Sequence, residues 1–85
     1  MRFLNELEFL RGTSTQGDIV VSVVTESCEQ DDIDGLFRSI CTKFLIDKDW
    51  NTRCNAAKLL GSLGRKHNAH LVSMLSTGAN VILII

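Results

Sequence analysis

Two histidines and three cysteines hold most of the reactive chemistry available to this chain, and their spacing limits it. His67 and His70, three residues apart with Cys54 upstream, form half the pattern of a structural zinc site. Such sites pair closely spaced ligands on both halves, and no Cys-x-x-Cys answers the histidines, so they read as polar residues near a helix start. A cysteine nucleophile needs a neighbouring base and an electropositive setting. Cys28 lies between Ser27 and Glu29, whose charge raises a thiol pKa; Cys41 falls on an apolar face; Cys54 adjoins Arg53 inside a tightly packed helix. All three read as buried small hydrophobes of a reducing compartment rather than a disulfide framework. The run GTSTQGD at 12–18 has two glycines and hydroxyls but lacks the Lys-Ser or Lys-Thr of a phosphate loop. No catalytic set, metal or cofactor is expected, and the cluster Arg65, Lys66, His67 offers either a dock for an acidic partner or a complement to a helix end.

Composition narrows the setting. Eighty-five residues suffice for one domain, 1–85, which buries only ~60% of the surface its unfolded chain exposes. Hydrophobic residues at 45% and charged residues at 22% are ordinary for a folded protein and exclude a disordered or fibrous class. A formal net charge of -1 provides no field to gather nucleic acid or anionic lipid. The start MRFLNELEFLRG is broken by Asn5, Glu6 and Glu8, unlike a secretory signal, and no run reaches the ~18–20 apolar residues of a membrane span. A cytoplasmic protein is expected, with the nucleus as the second option.

The elements that must position these residues read as helices, since there is no proline and the glycines stand mostly where the pattern changes. Phe3, Leu4, Leu7 and Leu10 recur at helical spacing up to Gly12. The run 12–18 is the clearest loop, with Asp18 as cap of the next segment. That segment, IVVSVVTESC, is rich in β-branched residues, yet Ile19, Val20, Val23 and Val24 share a helical face, and we read it as helix because no second strand exists to pair with it. Ile33, Leu36, Phe37, Ile40, Cys41, Phe44 and Leu45 keep the i, i+3, i+4 spacing over three turns, with Asp31 or Asp32 as cap. A turn at 47–49 leads to a helix capped by Asp49 or Asn51 and ended at Gly64, so the two helices fold back as a hairpin. In that helix Ala56, Ala57 and Gly61 give clearance for close packing beside Leu59, Leu60 and Leu63. A further apolar run starts at Leu71 and Gly78 interrupts it before NVILII.

The span 32–64 resembles a HEAT repeat, of the HEAT and armadillo-like helical families. The family unit has an aspartate in the turn and an arginine six positions later; Asp47 and Arg53 stand so, with Trp50 between them. Ala56 matches the alanine three residues on, Leu60 the leucine after it, and LLGSLG the glycine-ended close. The chain departs from the pattern in having no proline near Ser39 and Thr52 where valine is frequent. The resemblance implies an all-α fold of stacked antiparallel helical hairpins, a short α-solenoid of about two to two and a half repeats, with 1–30 and 67–85 as weaker units. It also implies that Asp47 ties the turn amides and that Arg53 bonds turn carbonyls or an aspartate.

A non-enzymatic protein–protein interaction scaffold is the expected function, either by itself or as a fragment or short isoform of a longer array. By the resemblance, its partners would meet the second helix of the unit, at Asn55 and Lys58, with Arg65 and Lys66 beside them. The alternative is a small oligomerising or membrane-peripheral protein acting through its apolar tail, Val81, Ile82, Leu83, Ile84 and Ile85.

Overall fold

The structure, a computed structural model, describes residues 2–69. Helix α1, Leu4–Glu8, tightens into a 3-10 turn, Phe9–Arg11, before Gly12 leaves in an extended conformation. Phe3, Leu7 and Leu10 are buried, whereas Leu4, expected beside them, is exposed. At 100° per residue Leu4 falls well off the line joining those three.

Helix α2, Ser14–Ser27, begins inside the run expected to be loop. Thr13 is its N-cap: the hydroxyl accepts from Gln16 N at 3.1 Å, and Thr13 N donates to Gln16 Oε1 at 2.9 Å. This reciprocal box uses the hydroxyl and amide groups that argue for a loop when considered alone, and Asp18, the expected cap, lies within the helix. The β-branched stretch from Ile19 onward is helical, as read from the sequence.

A 3-10 turn, Gln30–Asp32, leads into α3, Ile33–Ser39, which widens into a π turn, Ile40–Phe44, closed by Leu45 N donating to Ile40 O at 2.9 Å. Ile33, Leu36, Ile40 and Phe44 are buried, while Phe37, Cys41 and Leu45 are only half-buried. Glu29 caps the short turn in a reciprocal box in which Asp32 accepts from Glu29 N at 2.9 Å, and Asp32 gives α3 no side-chain cap. Helix α4, Trp50–Lys66, is capped by Asp49, whose Oδ2 accepts from Thr52 N at 3.2 Å and from the Thr52 hydroxyl at 3.0 Å. It passes through Gly64, the expected stop, and ends at His67, whose N–H donates to Leu63 O at 2.8 Å.

The chain is all-α, and there is no strand among the described residues. Arg2 donates to Ser27 O at 2.7 Å, so α1 runs antiparallel to α2. Helices α2 and α4 lie side by side in the same direction. The hydroxyl of Ser14 bonds Asn51 Oδ1 at 2.9 Å and that of Thr25 bonds Ser62 Oγ at 2.9 Å, each pair 37 residues apart. Between them the core gathers Leu7, Leu10, Val24, Ile33, Ala56 and Leu59.

The close approach of α2 and α4 depends on one contact. Asn55 is fully buried and reaches across to donate to Leu10 O at 2.9 Å and Thr13 O at 3.4 Å. A Cβ at Gly17 would lie 2.2 Å from Asn55 Cγ, so the amide occupies space that only glycine leaves open. Of the small residues expected to provide clearance on α4, Ala56 is buried, but Ala57 and Gly61 are exposed. The missing side chain that matters is on α2. Gly17→Ala is therefore expected to lower unfolding free energy by about 1–3 kcal/mol in urea melts. Gly61→Ala, whose Cβ meets nothing nearer than Arg65 at 3.7 Å, is expected to raise it by about 0.4–1 kcal/mol.

Candidate functional site

An apolar concavity in the described surface is built by two elements. Phe9 at the end of α1 and Ile19 and Val23 on α2 are 55%, 59% and 44% exposed, and with Val20 at the base they line a groove of about 320 Å³. Glu6 and Gln16 complete the lining. On α2 these residues follow 16, 19, 20, 23, one helical stripe. The residues of α2 that meet α4, among them Ser14, Gly17 and Thr25, fall on the other side of the helix. The groove therefore opens away from α4. Glu6 adds an electrostatic feature: its Oε2 is closed to solvent and has no hydrogen-bond partner. A buried acceptor without a donor costs about 1–3 kcal/mol.

A second cluster lies where α2 and α4 end. Cys28 Sγ is 3.4 Å from His67 Nε2 and 3.6 Å from Thr25 O. Burial is the main influence on the Cys28 thiol and pushes its pKa up; nearby Lys66 opposes this and Asp32 adds to it. Burial likewise pushes Cys41 up. A thiol so held is protonated at neutral pH and is a poor nucleophile. Cys28 is buried, while Cys41 and Cys54 are half-buried rather than the buried residues expected; all three are free. His67 pairs with Cys28 and not with Cys54, His70 lies outside the described residues, and no group of three metal-ligating side chains occurs among the described ones.

The third cluster is the turn before α4. Asp47 Oδ1 accepts from Asp49 N at 2.9 Å and its Oδ2 from Arg11 Nε at 3.2 Å. Arg53 donates to the carbonyls of Asp47 at 2.6 Å and Lys48 at 2.9 Å. The arginine near the helix start thus satisfies carbonyls, and charge-assisted bonds of about 1.5–3 kcal/mol outweigh its opposition to the dipole. Arg11 also bonds Glu8 at 2.7 Å, the main cause that raises the arginine's pKa, with Asp47 adding to it, and its guanidinium lies 4.5 Å over the Phe44 ring.

The residues expected to meet partners divide. Asn55 is buried and serves packing, because its amide finds two carbonyls across the interface. Lys66 places its ammonium on the carbonyls of Thr25, Glu26 and Cys28, supplying the cation that the last turn of α2 lacks. Lys58 is exposed and paired with Asp18 at 3.2 Å, and Arg65 is exposed. Trp50 is exposed, Ala56 buried and Leu60 half-buried. The apolar tail, Val81 to Ile85, and the unit expected from His70 lie outside the described residues. The groove went unassigned in the sequence because Ile19 and Val23 look like core; their alternation with Val20 and Val24 signals two apolar faces on one helix.

No protein-family model, curated protein or solved structure matches the chain. No helix among the described residues is long and apolar enough to cross a membrane.

The backbone amide of Asp49, then Arg11, holds the Asp47 carboxyl below its ordinary 3.8. A depressed pKa contributes stability above the unfolded value that is lost as pH falls through the folded one. Asp47→Asn is expected to lower the Tm at pH 7, and the gap to the native chain is expected to close as pH drops below about 3.8; thermal melts across pH 7 to 2 check this.

Proposed function

We propose that the chain is a non-enzymatic protein–protein interaction scaffold whose docking surface is the groove between α1 and α2. The observation that carries this reading is the exposure of Phe9, Ile19 and Val23 around a buried Val20. Continuous apolar surface of this kind is favoured at sites that another surface covers.

The architecture supports a HEAT-like scaffold. Antiparallel α1 and α2 form one hairpin, α3 and α4 a second, and the second helices run in the same direction at a 37-residue offset, as successive units of a short α-solenoid would. The Asp47 and Arg53 bonds serve the turn as that resemblance implies. In such a stack the groove is the open edge of the first unit. Half-buried free thiols suit a reducing compartment, the cytoplasm among them.

Site-specific photo-crosslinking in cells tests the surface. A benzophenone side chain at Ile19 is expected to give discrete protein adducts, and the same group at exposed Ala57 is expected to give none of them. Absence of adducts from Ile19, or an identical set from both positions, would overturn the assignment.

A further inference from the structure

We propose that the turn between α3 and α4 docks on an anionic lipid surface, with Ile46 and Trp50 entering the headgroup region and Lys43 and Lys48 meeting the lipid anions. None of these four residues lines the groove, on which the Ile19 crosslinks report separately.

Exposed apolar bulk is the first observation. Ile46 at 72% and Trp50 at 69% are the most exposed large hydrophobic residues among those described. Only four positions separate them, across a turn that Asp47 N closes by donating to Phe44 O at 3.3 Å. Tryptophan favours the boundary of water and hydrocarbon, because its ring is apolar and its indole N–H is polar.

Charge is the second. The net charge of -1 sums two unlike halves: residues 1–37 hold two arginines against eight aspartates and glutamates, and residues 38–66 hold seven lysines and arginines against Asp47 and Asp49. Both aspartates are engaged by the chain. Asp47 accepts from Arg11 and from Asp49 N, and Asp49 caps α4 through Thr52. Lys43 and Lys48 flank the apolar pair, are exposed and form no ion pair among the described residues. Lys43 complements the end of its own helix, whereas Lys48 stands just before α4, where the helix dipole disfavours a cation. Its charge serves no helix and is left to solvent.

The main chain of the turn favours a lipid surface over an acidic protein. Leu45 N bonds Ile40 O, Asp49 N bonds the Asp47 carboxylate, and Arg53 covers the carbonyls of Asp47 and Lys48. A turn that enters a layer poor in water must satisfy such groups from within. The same saturation leaves a peptide ligand few main-chain groups on which to align.

Vesicles of phosphatidylcholine, alone or mixed with phosphatidylserine, test the proposal on the full chain. Trp50 is the single tryptophan, so its fluorescence reports on this turn. Flotation is expected to show about tenfold tighter binding to the anionic vesicles, an excess that salt removes. Trp50 emission is expected to move to shorter wavelength and to be quenched by brominated acyl chains. Lys43→Gln with Lys48→Gln is expected to abolish most of the preference for anionic vesicles. Ile46→Ser is expected to weaken binding about fivefold with helical circular dichroism retained; should it lose helix, Ile46→Ala replaces it.

Equal binding to both vesicle types, or native-like anionic binding by the double lysine variant, would overturn the proposal. Binding that leaves Trp50 emission unshifted would also overturn it and place the contact elsewhere. Absence of vesicle binding would overturn it outright; if a fluorescein-labelled polyglutamate peptide then binds and the double lysine variant loses it, the partner is an acidic protein.

Discussion

The amide of Asn55 set against the bare Cα of Gly17 is the contact on which the arrangement of the two hairpins depends. A buried polar side chain is unfavourable unless it finds partners, and Asn55 finds two. Leu10 O closes the first helix and Thr13 O belongs to the cap of the second, so one side chain fastens the joint of the first hairpin to the middle of α4. Its Oδ1 faces Gly17 and has no donor. That orphan acceptor costs stability, and the cost buys register: a shift of α4 by one residue would take Nδ2 away from both carbonyls. An apolar residue at 55 would pack as well and specify less.

Around that joint the same solution recurs, in which a polar end of one hairpin is satisfied by the other. Asn51 Nδ2 donates to Gly12 O at 2.6 Å at the start of α4, and Lys66 covers the last carbonyls of α2 at its end. Arg11 reaches from the first hairpin to Asp47 in the turn of the second, while Arg2 approaches Asp32 at 3.4 Å. Exposed pairs of this type contribute little individually, about 0–1 kcal/mol each. Their effect is directional: they connect start to start and end to end, which fixes α2 and α4 in the same sense where the apolar core alone would accept either.

The sequence made the helices legible because period and caps agree there. Ile33, Leu36, Ile40 and Phe44 form an unbroken stripe, and Asp49 precedes α4 with the expected role. The run 12–18 misled because hydroxyl and amide groups support both loops and helix caps, and only the reciprocal Thr13–Gln16 pairing decides between them. Gly64 misled because a glycine ends a helix only where the chain turns left-handed, and here no described residue has positive φ. Asn55 was expected to meet partners because the resemblance turns polar residues of the second helix outward. Its position one residue before Ala56, on the stripe that continues through Leu59 and Leu63, places it inward. The groove was the least legible feature, since apolar exposure depends on what stands opposite each face and no sequence period records that.

The two sides of α2 show why the groove is a candidate site and the inter-hairpin face is not. Toward α4 the contact combines a glycine, a buried amide and hydroxyl pairs at both ends, and apart from Asn55 Oδ1 its polar groups are matched within the chain and closed off by the packing. Away from α4 the balance reverses. Apolar side chains remain half in water, and a carboxylate oxygen is buried without a donor. Covering the groove would take the exposed apolar side chains out of water, whereas the enclosed Glu6 oxygen stays out of reach of an occupant.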